Sequence, residues 1–248
     1  MLTQMLKSGL HGAISKRQSR RKYIDKPIEL DCVETLQQSI DAFHKDENVK
    51  MQLVLNNGYA FNGFSKSYGL LSGVQNYIAL IAKPSDILTM EKLGYFGECL
   101  VLQATNMGLG TCWVATFDRS SCKTSLEENE QVVCAITIGY VPEMLSIKEK
   151  FIRWVTHRKT KPIEQMYVSN TIPPEWFIKG MIAVQKAPSA VNRQPVIFSY
   201  ENEKVSARVD DIGTESYAFD LGIAKLHFEL GVGSGNWIFG NGSAYNLK

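Results

Sequence analysis

The chain has 248 residues, 44% hydrophobic and 21% charged, enough apolar material for the core of one large or two small domains and unlike a disordered or fibrous protein. A formal net charge of +2 is too small to mark a nucleic-acid binder, so any basic function must come from local clusters, which occur at 16–22 and 157–161. Cys32, Cys99, Cys112, Cys122 and Cys134 form no C-x-x-C pair and no apolar run could span a bilayer, which excludes a disulfide framework and a membrane span. With no secretory h-region at the start, the expectation is a soluble cytoplasmic protein with neither a nucleic-acid nor a membrane partner.

After a short N-terminal helix, residues 28–44 carry Val33, Leu36 and Ile40 at amphipathic spacing with Asp31 as the expected cap. Residues 51–55 and 77–82 read as buried strands. A long helix over 91–107 should end at Gly108, followed by strands at 111–117 and 132–138. Residues 141–172 show no core pattern, hold Pro142 and Pro162, and run up to Pro173 and Pro174, so a boundary is expected there. Beyond it come a helix at 174–186, a strand at 196–200 with a hairpin partner at 205–209, and a helix at 217–230.

This order repeats that of the first half. Phe96, Met107, Gly108 and Gly110 have counterparts in Phe219, Leu230, Gly231 and Gly233, each 123 positions later (219 minus 96; 231 minus 108), and Trp113 answers Trp237 with one extra residue. Glycine is common at helix ends, so convergence is one account of the match; internal duplication is the other, and the repeated element order favours it.

Three segments carry candidate chemistry. Arg17, Ser19 and Arg21, at i, i+2 and i+4, would project to one side of an extended chain, and the planar fork of arginine suits a phosphate, although a solvated basic face would show the same charge. The run Leu109-Gly110-Thr111-Cys112-Trp113 follows the long helix. In Pro188-Ser189-Ala190-Val191-Asn192-Arg193-Gln194-Pro195, prolines stiffen both ends of a stretch offering short polar arms at Ser189, Asn192 and Gln194; a plain turn into a strand reads the same way. His11, His44, His157 and His227 lack metal-ligand spacing, and no H-E-x-x-H, P-loop or G-x-S-x-G is present. Cys112 has no suggested histidine partner and is taken as core.

Together these segments resemble the nitroreductase family, with its Arg-Arg-Ser-x-Arg opening, Leu-Gly-Leu-Gly-Thr-Cys-Trp helix ending and Pro-Ser-x-x-Asn-x-Gln-Pro loop. The resemblance implies an α+β fold with a central, mostly antiparallel sheet flanked by helices. It also implies FMN as cofactor, with Arg17 and Ser19 on its phosphate, Arg21 near the N1/O2 edge, and Gly110 and Thr111 beside the ring. Gln18, standing where the family has a second arginine, is counted with the FMN-binding residues, as are Arg158 and Lys159 of a late basic run, which reads equally as a charged linker. Pro188, Ser189, Asn192 and Gln194 complete the set; no metal and no catalytic side chain is expected.

The ring loop lies about 170 residues after the clamp, which implies two protomers fused into one chain: a first half at 1–165 with the clamp and a second at 166–248 with the loop, packed as an intramolecular pseudo-dimer that can be monomeric. Residues 44–51 contain no second loop and 167–172 no second clamp, so one FMN per chain is expected. The activity implied is ping-pong transfer from NADH or NADPH through FMN to a nitroaromatic, quinone or similar small acceptor. Rival readings are an FMN protein of specialised or lost reductase activity and a non-catalytic binding protein, one without flavin.

Overall fold

Buried positions at helical spacing, Leu36, Ile40 and Phe43, set the inner face of helix α1 (Leu30–Glu47). A computed structural model of the chain describes residues 6–67, 69–156, 160–210 and 215–248. Asp31, expected as the cap of α1, lies in its first turn instead, where its charge favours the helix dipole; the N-cap is Glu29, with no side-chain cap bond. Asn48, in the left-handed region at φ 55°, closes the helix by donating its N–H to His44 O at 3.0 Å.

The described chain falls into two units, the first built mainly from Lys16–Asp86 and Leu100–Thr156 and the second from Lys7–Ser15, Ile87–Cys99 and the stretch from 157 to Lys248. In chain order α1 is followed by β1 (Lys50–Val54), the short α2 (Phe64–Ser67), β2 (Asn76–Ala82), α3 (Ile87–Asn106), β3 (Gly110–Val114) and β4 (Gln131–Gly139). The four strands form one antiparallel sheet in the order β1-β2-β4-β3. Its centre is buried along both β2 and most of β4, and Phe61, Tyr77, Ile81, Cys112, Phe117 and Ala135 pack there. Gly108 ends α3 at φ +78°, with Leu109 N–H bonded back to Ala104 O, a Schellman ending that a side chain would strain.

Residues 141–172, read as lacking a core pattern, hold among the described residues α4 (Ile147–Thr156), a 3₁₀ turn at Ile163–Gln165 and β5 (Tyr167–Ser169). Ile147 and Phe151 of α4 are 87% and 60% exposed, and β5 is a three-residue edge strand.

In the second unit β5 precedes α5 (Glu175–Val184), β6 (Ile197–Glu201), β7 (Lys204–Arg208), α6 (Glu215–Val232), β8 (Asn236–Trp237) and β9 (Ala244–Asn246). The sheet runs β5-β6-β7-β9-β8, antiparallel except for β5 against β6. Phe177, Phe198, Phe228, Trp237 and Tyr245 interlock as its aromatic core. Helix α6 also buries charge against the Ile87–Cys99 part of α3, pairing Lys225 with Glu91 and His227 with Glu98, while Glu229 accepts from Tyr95 and Lys7. Both sheets with their helices make the α+β arrangement expected from the sequence.

Without β5, the second sheet repeats the first. The order β6-β7-β9-β8 matches β1-β2-β4-β3, every neighbour is antiparallel, one helix precedes the first strand and another separates the second strand from the third. The register of 123 does not carry through the helix ends, however. Gly231 lies inside α6, and the residue at positive φ after that helix is Gly233 (φ +84°), because α6 continues past the position at which α3 stops.

Candidate functional site

The clamp segment is stitched to the edge of the first sheet. Ser19 pairs with Thr111 in a parallel bridge, Arg20 N–H donates to Thr111 O at 2.8 Å, and Tyr23 N–H donates to Ser72 O at 3.0 Å. Tyr23 is buried, with its hydroxyl within hydrogen-bond distance of Thr137 Oγ1 at 2.7 Å and of Arg20 O at 2.9 Å, which fixes the segment from beneath. In the extended chain side chains alternate, so Arg20 turns away from Ser19 and Arg21 and donates to Pro142 O at 2.7 Å. Arg17, Ser19 and Arg21 are half-buried, and Gln18 is exposed.

Arg17 and Arg21 both act on the Cys112 thiol: burial pushes that thiol up, and the two guanidinium charges oppose the shift without cancelling it. Cys112 is thus a core thiol, as expected, and not a poised nucleophile. Gly110 and Thr111 are themselves buried; a Cβ on Gly110 would overlap Val141 Cγ1 and come within 3.1 Å of Arg20 Cβ, so the glycine admits both Val141 and the clamp segment against β3. Arg158 and Lys159 lie outside the described residues.

In the second unit, residues 185–196 connect α5 to β6 and contain the polar loop. Its backbone is strained, with Val191 at φ 45°, Asn192 at 54° and Gln194 at 51°. A left-handed β-branched residue is costly and persists only where its surroundings enforce it. Here they do. Ser189 Oγ accepts Gln194 N–H at 2.9 Å, Gln194 Oε1 accepts Lys161 N–H at 2.9 Å, and Lys161 Nζ donates to Gln194 O at 2.8 Å. Asp220 of α6, 4% exposed, accepts Ala190 N–H. Beneath the loop is a cavity of about 20 Å³, lined by Met166, Val184, Pro188, Ser189, Gln194 and Asp220 among others, which has room for a water and not for a ring system.

Gln194 and Ser189 therefore brace the loop from inside, with Gln194 7% exposed, while Asn192 is half-buried and Val191 and Arg193 face solvent. Pro188 lines the cavity. Among the described residues no cluster of His, Cys, Asp or Glu could hold a metal ion, and no helix is long and apolar enough to cross a membrane. In the first unit, the guanidinium and hydroxyl groups of Arg17, Ser19 and Arg21 are of a kind that suits an anion.

A family model described as "Putative TM nitroreductase" matches residues 9–232. The chain belongs to this nitroreductase family. A solved structure described as a putative nitroreductase from Thermotoga maritima MSB8 is 21% identical, with a TM-score of 0.65, and the match covers 96% of this chain and 92% of that one, which shows the fold. A nitroreductase with bound FMN from Bacteroides fragilis is 17% identical over 56% of this chain and 92% of its own, at a TM-score of 0.42. A Parabacteroides distasonis protein described as a putative NADH dehydrogenase/NAD(P)H nitroreductase is 18% identical over 66% of this chain and 98% of its own, at 0.48. No curated protein matches the sequence.

Within this nitroreductase-family chain, three residues that matter to the site escaped the sequence reading: Arg20, Glu149 and Asp220. The partners of all three are distant in sequence. One local signal was there to be read, Ser146-Ile147-Lys148-Glu149, a capping box that opens α4.

Proposed function

We propose that the chain is an FMN-dependent NAD(P)H oxidoreductase of the nitroreductase type, with one FMN per chain and its two halves standing as the protomers of a fused pseudo-dimer. FMN, when bound, supplies the redox centre that accepts hydride from NADH or NADPH and passes electrons to a small acceptor such as a nitroaromatic or quinone, in ping-pong order. Arg17 and Ser19 bind its phosphate, helped by Arg158 and Lys159, with Gln18 beside them. Arg21 sets a fixed cation at the ring's N1/O2 edge, which favours the reduced anion. Asn192 and the loop backbone meet the ring, while Pro188, Ser189 and Gln194 hold that backbone in shape. Gly110 and Thr111 carry the clamp segment. No side chain is assigned as nucleophile or acid, and the chain acts as a monomer on small molecules.

The observation that carries this reading is an asymmetry between otherwise repeated units. In the second, residues 185–196 link helix to strand as a braced, strained loop; at the corresponding place in the first, only residues 48 and 49 link α1 to β1. The clamp is equally one-sided: in the first unit residues 19 and 20 pair with Thr111 of β3 and residues 21–23 with Ser72, whereas residues 167–169 form β5 on β6, the opposite edge of the repeated strand order. Repetition of the strand order supports duplication, and these differences support one ligand per chain.

The visible spectrum of the purified protein, before and after NADPH, tests the activity. A yellow preparation that bleaches is the expected result. A yellow one that resists both nicotinamides would replace the general reductase with a specialised one, and a colourless protein that takes up no added FMN would overturn the proposal.

A further inference from the structure

We propose that Glu149 is the positioning residue of the phosphate-binding segment, clasping its backbone from the first turn of α4 so that Arg17, Ser19 and Arg21 are presented in one fixed row. This rests on the assignment of Arg17 and Ser19 to the FMN phosphate and of Arg21 to the edge of the ring.

Glu149 is 2% exposed, and its two carboxylate oxygens have separate tasks. Oε2 accepts Ser146 N–H and Ser146 Oγ–H, each at 2.8 Å, while Glu149 N–H donates to Ser146 Oγ at 3.2 Å, which starts the helix. Oε1 reaches across to the clamp segment, accepting Arg21 N–H at 2.7 Å, Lys22 N–H at 3.3 Å and Arg20 Nε–H at 3.3 Å. These donors are consecutive residues. A single buried oxygen thus fixes the backbone at the point where the side chains of Ser19 and Arg21 diverge from that of Arg20. Burial alone would raise the Glu149 carboxyl, but the Arg21 N–H, the Ser146 groups and the Arg20 charge outweigh it and hold the acid at about 2. It is a permanent anion at neutral pH.

The anion also decides which arginine faces a ligand. Arg20, paired with Glu149 and bonded to Pro142 O, is taken up by the protein, which leaves the phosphate to Arg17 and Ser19. Glutamine at 149 keeps the shape but replaces one acceptor oxygen with an NH₂ that faces N–H donors, so either the cap or the clasp must open.

The test is equilibrium dialysis of the full chain, wild type and Glu149→Gln, against FMN and, separately, riboflavin, which lacks the phosphate. Glu149→Gln is expected to weaken FMN about tenfold or more and riboflavin, which keeps the ring-edge contact of Arg21 but lacks the phosphate, by clearly less, and Glu149→Asp to recover part of the loss. An equal fall for both flavins means a general structural defect and overturns the proposal, as does an unchanged FMN affinity. If the wild type binds FMN no more tightly than riboflavin, the clamp assignment fails instead. The clasp itself is then read from amide exchange at Arg21 and Lys22, expected to quicken in Glu149→Gln, and unchanged exchange there overturns it.

Discussion

Both carboxylate oxygens of Asp220 face the backbone N–H of Ala190, at 3.0 and 3.2 Å, and this bond ties helix α6 to the strained loop. Burial pushes Asp220 up to about 7, against the opposing pull of the Ala190 N–H and of the Arg193 charge. Its ordinary value is 3.8, so between about 4 and 7 the folded chain keeps a proton that the unfolded chain releases, and this group's contribution to stability falls as pH rises through that window. The melting temperature of the wild type should therefore lose more between about pH 5 and pH 8 than that of Asp220→Asn. Parallel profiles for the two proteins would contradict this.

Lys225 has a side chain 0% exposed and donates to Glu91 Oε1 at 2.6 Å and to Gly240 O at 2.9 Å. Burial lowers its pKa and Glu91 opposes the shift. Removing the cation alone leaves a buried carboxylate without its ion, so Lys225→Met should cost about 3–5 kcal/mol in urea unfolding. Adding Glu91→Gln should recover a large part of that loss. A double variant as unstable as the sum of the singles would show that the pair does not interact.

The crossing of α6 over the Ile87–Cys99 part of α3 depends on two glycines. A Cβ on Gly94 would come within 3.0 Å of Phe219 O, and one on Gly222 within 3.0 Å of Glu91 O, both backbone atoms that cannot turn aside. Alanine gains helix propensity of about 1 kcal/mol at such positions, but the overlap forces the helices apart at about 1–3 kcal/mol or more. Gly94→Ala and Gly222→Ala should each lower the melting temperature; a rise in either would mean that the helices separate freely.

Much of the fold was legible because the signals were local. The buried runs of β2 and β4 and the glycine ending of α3 lie in the sequence as periodicity and as one αL residue. Helix α4 was legible in two local signals, its capping box and Ile147, Phe151 and Val155 at i, i+4 and i+8, but the prolines and charges of 141–172 read as a linker. The cap at Asp31 was misplaced because an acidic residue suits the first turn as well as the cap. At the candidate site, the motif residues could be named from the sequence but not their orientation. Gln194 looks like an arm for a ligand, yet its amide braces the loop through Lys161, a contact across 33 positions.

Substitutions should separate the assigned residues from their neighbours in the repeat. Arg17→Ala and Asn192→Ala should each weaken FMN retention by about tenfold or more, as expected for loss of a charge-assisted or ring-edge hydrogen bond. The control is Asn48→Gly, which preserves the left-handed end of α1 (φ 55°) and should leave FMN retention unchanged. Retention that falls in the control as much as in the other two would remove the assignment.

The ratio of FMN to polypeptide in the purified, FMN-saturated protein, from the flavin absorbance after release and the protein mass, tests the one-site reading most directly. One FMN per chain is predicted, with Arg17→Ala needing about tenfold more free FMN to reach that ratio. A ratio near two would mean that the short connection at 48 and 49 and strand β5 do not disable a second site, and would contradict it.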